Sequence, residues 1–214
     1  MKSKIISVLL VSLLTISTTA CSSNKSYLIL EAYKAVLQNK VNFFSTDTNK
    51  NVYLKNFLTN KEIYGATFKI THFTVLDMDG DKIPEVVLEL SVGNNNPMCF
   101  EVLHYMNGKV YGYNIVYRGL EELKTDGTFG YSSGASDNGR GKLRFESNAY
   151  ETDILGYSKS SQNNDNITIS YFINNKPIAE ESFNSFMKEE RGKKDVVWYE
   201  FSQKNIEIEL SKNQ

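Results

Sequence analysis

The chain has two cysteines, two histidines, three prolines and a single tryptophan in 214 residues. Two cysteines cannot build a disulfide framework, and neither stands at a zinc-ligand spacing. The histidines, His72 and His104, lie in strand-like stretches outside any zinc or catalytic signature and read as structural. No catalytic residue is assigned on this basis. Charge of neither sign dominates: 24 Lys and Arg face 25 Asp and Glu, for a formal net charge of −1. Binding to nucleic acid by bulk charge is thereby excluded. No convincing internal repeat is found, and a propeller would demand several. The largely apolar stretch from Ile5 to Ile16 falls short of the roughly twenty residues a membrane-spanning helix needs.

What is present begins at the N-terminus. The basic Lys2 and Lys4, the apolar run and the small residues Ser17, Thr18, Thr19 and Ala20 precede Cys21, the order of an export signal. The Thr18-Thr19-Ala20-Cys21 end resembles the lipobox of bacterial lipoproteins, with Thr18 where Leu is usual. That resemblance implies diacylglycerol on the Cys21 thiol, cleavage before it, and a place on the extracytoplasmic face of the membrane. Residues 1–20 are then signal peptide, 21–26 a short polar tether and 27–214 one globular domain. With Cys21 lipidated, Cys99 has no partner in the chain and, set between Met98 and Phe100, reads as a buried thiol.

Apolar residues at Leu30, Tyr33, Leu37, Val41 and Phe44 draw one stripe of a helix over 27–44. Residues 52–58 read as a short helix or turn. From Phe68 onward, β-branched and aromatic runs broken by Gly, Asn and Asp predict an antiparallel meander. Its strands are expected at 68–76, 85–91, 99–106, 109–117, 128–133, 142–147, 151–158 and 166–173. Asn107-Gly108 predicts a tight hairpin, while Asn174-Asn175 and Pro177 predict an end to the last strand. A helix over 179–190, a strand over 196–201 and a last helix capped by Ser202 close the chain. The predicted class is α+β, with an N-terminal helix, a central antiparallel meander and C-terminal helices.

Asp77-Met78-Asp79-Gly80-Asp81-Lys82-Ile83-Pro84-Glu85 puts carboxylates at relative positions 1, 3, 5 and 9 between two apolar strands. Alternate side chains of a curled loop converge inward, and a hard cation takes oxygen ligands of this kind. Without a cation the carboxylates repel, with Lys82 the only nearby counter-charge. The predicted ligands are Asp77, Asp79, Asp81, the carbonyl of Ile83, and Glu85. The segment resembles the Asp-x-Asp-Gly-Asp calcium loops of FG-GAP-type repeats, over nine residues, with Lys82 where Gly is common; the resemblance implies calcium. An EF-hand is excluded, because its sixth and twelfth positions hold Lys82 and Leu88 here.

Together with Val110-Tyr111-Gly112-Tyr113, Arg118-Gly119-Leu120, Asp126-Gly127-Thr128-Phe129 and Val197-Trp198-Tyr199-Glu200-Phe201, the lipobox and acidic loop are similar to those of uncharacterised clostridial-type lipoproteins. That resemblance implies a family and no activity.

Tyr111, Tyr113 and Tyr117 share a strand face with Ile115 and form either core or a platform for an extracellular ligand. The loop from Ser132 to Lys142 offers Asp137, Asn138 and Arg140 as further contacts, or is simply a connection between strands. The leading expectation is a non-catalytic, calcium-stabilised module on a lipid anchor that binds an unknown extracellular ligand. The alternatives are a carbohydrate or cell-wall hydrolase drawing a carboxylate pair from Glu85, Glu89 and Glu101, and an accessory subunit of a membrane complex.

Overall fold

The structure is a computed structural model that describes residues 17–61, 65–93, 96–163 and 166–211, with the side chains of 17–25, 96, 163 and 166 left aside. Lys2, Lys4 and the apolar run of the predicted signal lie outside the described residues. Among the described residues no helix is long and apolar enough to cross a membrane.

Helix α1 (Ser17–Leu37) starts before Cys21 and takes in the stretch expected to be a flexible tether. No Gly or Pro interrupts residues 17–37, so nothing local stops the helix earlier. It ends before its predicted limit because Asn39 adopts φ 57°, a left-handed residue that closes helices. Phe44 therefore falls in a strand, β1 (Phe43–Ser45), which pairs with β2 (Lys50–Val52). A short helix, α2 (Leu54–Leu58), follows.

The next four strands form a meander: β3 (Phe68–Leu76), β4 (Glu85–Val92), β5 (Asn96–Met106) and β6 (Lys109–Val116). Strand β4 is buried on both faces along nearly all its length, which its Val86, Val87, Leu88 and Leu90 suit. Asn107 and Gly108 both take positive φ, and Met106 faces Lys109 across them, the two-residue turn that the Asn-Gly pair predicts.

After a 3-10 turn at Tyr117–Gly119 the chain leaves this sheet and builds a second. Its strands are β7 (Phe129–Ser132), β8 (Asn138–Phe145), β9 (Tyr150–Asn163), β10 (Asn166–Ile173) and β11 (Lys176–Ile178). Asn174 and Asn175 make a second two-residue hairpin instead of ending the sheet. Pro177 is tolerated because β11 is an edge strand. Helix α3 (Glu180–Gly192), β12 (Tyr199–Glu200) and α4 (Gln203–Glu209) complete the order. Only 199–200 of the predicted strand 196–201 pairs, against β3. Ser202 caps α4, its side chain accepting from the Asn205 amide.

The predicted α+β class is overturned. With 46% strand and 23% helix the fold is mostly β, in sheets of seven and five strands. The seven-stranded order is β12-β3-β4-β5-β6-β1-β2, antiparallel except where β1 joins β6 in parallel; the five-stranded order is β11-β10-β9-β8-β7.

Two apolar clusters flank the first sheet. On one face Val86, Leu88, Leu90 and Leu103 meet Ile29, Leu30, Tyr33 and Val36 of α1, Phe57 of α2, and Ile206 beneath α4. On the other, Val87, Phe100, Val102 and Tyr113 meet Phe129, Leu143 and Phe145 of the second sheet. The order of layers is helices, sheet, sheet. Helix α3 lies over the second sheet, with Phe183 against Tyr171.

Candidate metal centre

The loop between β3 and β4 is anchored from beneath. Met78 is fully buried in the cluster between the sheets, and its amide donates to Glu85 Oε2 at 2.7 Å. Asp77 closes the curl, accepting from the Gly80 and Lys82 amides at 2.7 and 2.9 Å. Asp79 accepts from the Asp81 amide and Asp81 from the Ile83 amide. Gly80 and Lys82 both take positive φ, 88° and 70°. The loop thus demands at Lys82 a conformation natural to glycine.

The four predicted carboxylates gather closely enough to hold a metal ion, in two overlapping groups. In one, Asp77, Asp79 and Glu85 each offer an oxygen, all within 4.8 Å of one another; in the other, Asp79 and Asp81 are joined by a ring nitrogen of His104 at the same spacing. Ile83 lines the adjoining cleft.

Repulsion and burial leave their mark on the acids. Burial pushes Asp79 upward, with the Asp81 and Asp77 carboxylates adding to it. Burial also drives Glu85 up to about 7, although the His104 imidazole and the Met78 amide pull it down. Tyr33 of α1, buried beside this cluster, is held well above its ordinary value by burial and then by the Glu85 charge. A cation placed among these groups lowers every one of those costs at once.

His104 has no local sequence signal, and its place follows from long-range register. Val86 faces Leu103 across β4 and β5, so the residue after Leu103 meets Glu85 at the loop end of the sheet. There His104 Nδ1 lies 2.8 Å from Glu85 Oε1, with side chains 5% and 0% exposed. The ring stacks on Phe145 from the second sheet, 4.7 Å between centroids. In a meander, alternate turns share one edge, so the acidic loop and the Asn107-Gly108 hairpin are neighbours. Between them opens a cleft of about 540 Å³ lined by Leu28, Asp79, Asp81, His104, Asn107 and Phe145, among others.

Comparison with known proteins returned no matching family model, curated protein or solved structure.

The other predicted contacts do not join this site. Tyr113 is fully buried, its hydroxyl donating to the Glu146 carbonyl at 2.5 Å. Tyr111 is half-buried, edge-on to Phe44. Tyr117 leaves the strand in the 3-10 turn and stacks on Phe100. Of the row, Tyr113 is core, Tyr111 packs half-buried against it and Tyr117 is exposed. Of the Ser132 to Lys142 segment only 133–137 is loop; Ser132 ends β7, and Asn138, Arg140 and Lys142 are residues of β8. Asp137 accepts from the amide and hydroxyl of Ser160. Arg140 is buried and paired with Glu122, so it is withdrawn from any surface anion.

Glu85, Glu89 and Glu101 do not form a glycosidase pair. Alternation puts Glu101 on the opposite face of the sheet from Glu85 and Glu89. Four residues of strand separate the latter two by about 13 Å, against a need of at most about 9.5 Å.

Proposed function

We propose that this chain is an extracytoplasmic lipoprotein of the clostridial type, anchored through diacylglycerol on Cys21, whose folded part is a calcium-stabilised, non-catalytic ligand-binding module. The observation that carries this reading is the gathering of Asp77, Asp79, Asp81 and Glu85, of which Asp79 and Asp81 also line the cleft. Asp77, Asp79 and Glu85 offer oxygen alone, which is what calcium takes, at about 2.3–2.6 Å and with six to eight donors. With the Ile83 carbonyl added, protein donors still leave positions open toward the cleft. A ligand bearing carboxylate or hydroxyl oxygens fills them there.

Helix α1 carries both Cys21 and the cleft residues Leu28 and Ile29. Seven residues of helix span about 10 Å, so the anchor holds the cleft close to the membrane surface. Extracellular calcium suffices even for a site of millimolar affinity.

Calorimetric titration of the full chain with calcium tests the reading. The expected result is a saturable heat that Asp77→Asn abolishes or weakens at least about tenfold, since that variant removes a ligand charge together with one of the two oxygens that accept the Gly80 and Lys82 amides. Absence of heat at millimolar calcium contradicts it.

A further inference from the structure

His104 is 4% exposed, and its two ring nitrogens have different surroundings. Nδ1 faces Glu85 Oε1 at 2.8 Å. With Glu85 ionised, the Nδ1–H donates to that oxygen and the imidazole is held in the tautomer whose Nε2 carries the free lone pair. Nε2 has no hydrogen-bond partner among the described residues. Stacking on Phe145 fixes the plane of the ring, 18° from parallel, and the ring forms part of the cleft wall beside Asp79 and Asp81. Nε2 is thus the one polar edge of an otherwise buried ring that is left free to take a ligand from the cleft.

From this geometry we infer that Asp79, Asp81 and His104 form a second cation position, specific for a first-row transition-metal dication, with Glu85 orienting the imidazole from behind. It rests on the reading of the acidic loop as a cation site and shares Asp79 with the calcium position. Imidazole nitrogen is a poor ligand for calcium and a good one for zinc, cobalt, nickel or copper. A carboxylate behind a ligating histidine is the common outer-shell partner of such metals; it fixes the tautomer and raises the basicity of the ligand. Asp77 stands outside this group and His104 outside the other, so the two positions differ in chemistry and separate by substitution. Three protein ligands leave a tetrahedral ion one open position, directed into the cleft.

The test titrates the full chain with Co²⁺, followed by its visible d–d absorption, beside the calcium calorimetry. One equivalent of Co²⁺ is expected to give a band of nitrogen- and oxygen-ligated cobalt. His104→Gln weakens that binding at least about a hundredfold, beyond the 10–100-fold typical of an outer-shell loss, and keeps the calcium heat; Asp77→Asn does the reverse. Calcium heat without a cobalt band overturns the second position alone. A cobalt band without calcium heat supports it and overturns the calcium position, and silence of both ions overturns both.

Should His104→Gln fail to fold, the wild-type fold supplies the assignment. The chain has only two histidines, so imidazole nitrogen coupling to bound Cu²⁺ in pulsed electron paramagnetic resonance must survive His72→Gln. Its loss in that variant, or its absence from the wild type, overturns the inference.

Discussion

Glu101 is fully buried on β5, and only one of its carboxylate oxygens is hydrogen-bonded, to Asn114 Nδ2 at 3.3 Å. The other rests over Gly112, where any Cβ would come within 2.3 Å of it. Burial, with the Asp47 charge adding to it, pushes this carboxyl well above its ordinary value. The unfolded chain gives up the proton near the usual carboxylate range, whereas the folded chain keeps it to higher pH. As pH rises from that range toward the raised folded value, the unfolded state binds fewer protons and is increasingly favoured, so stability falls. Glu101→Gln keeps the shape and cannot ionise. Urea unfolding at pH 5 and pH 8 is expected to show a shallower loss of stability in the variant than in the wild type; equal slopes contradict the assignment. Nothing local in the sequence marks Glu101, because its burial comes from β1 crossing beside β6. The acidic loop is the opposite case: its carboxylate spacing, Gly80 and flanking strands are contiguous, and they suffice to predict the cluster. His104 was out of reach for the same reason as Glu101.

The turn at Asp126-Gly127-Thr128 supports the acidic loop from the side. Asp126 accepts from the amide and hydroxyl of Thr128. Burial raises its carboxyl, but those bonds and Lys193 outweigh this and hold it at about 2. Gly127 takes φ 80°, and a Cβ there would fall 2.2 Å from the Met78 carbonyl oxygen. Gly127→Ala therefore meets both a left-handed backbone and a collision with backbone that cannot swing aside. A loss of at least about 2 kcal/mol in urea unfolding is expected, along with weaker calcium binding, because Met78 positions Glu85. A change under about 0.5 kcal/mol would contradict the packing. Elements of this fold were legible where side chains alternate over many residues, as in 68–76 and 109–116, or where a turn has its own chemistry, as at Asn107-Gly108. Three-residue strands such as 43–45 and 176–178 are too short to display a period. The Asn138-Gly139-Arg140-Gly141 start of β8 reads as loop because its pairing with Tyr131 and Tyr157 is made by backbone.

At the scale of the molecule, the class was misread because the strands were laid in one meander. The chain turns out of the first sheet after Val116 and stacks a second upon it, which brings Phe145 against His104 and closes the cleft. Helix α1 covers the opposite face and leads to Cys21, so Cys21, core and cleft share one element. If Cys21 carries the lipid, Cys21→Ser releases the chain from the membrane fraction into the medium with its unfolding midpoint unchanged. Continued membrane retention of the variant contradicts the anchor.

The central claim is that a bound ion ties β3 to β4 at the mouth of the cleft. Its most direct test is the thermal unfolding midpoint of the full chain in calcium and in chelator. At a hundredfold excess over Kd, one site contributes about 2.7 kcal/mol, and a chain of this size gains about 2–4 °C per kcal/mol. The account predicts a rise of roughly 5–11 °C that Asp77→Asn removes; identical midpoints with and without calcium would contradict it.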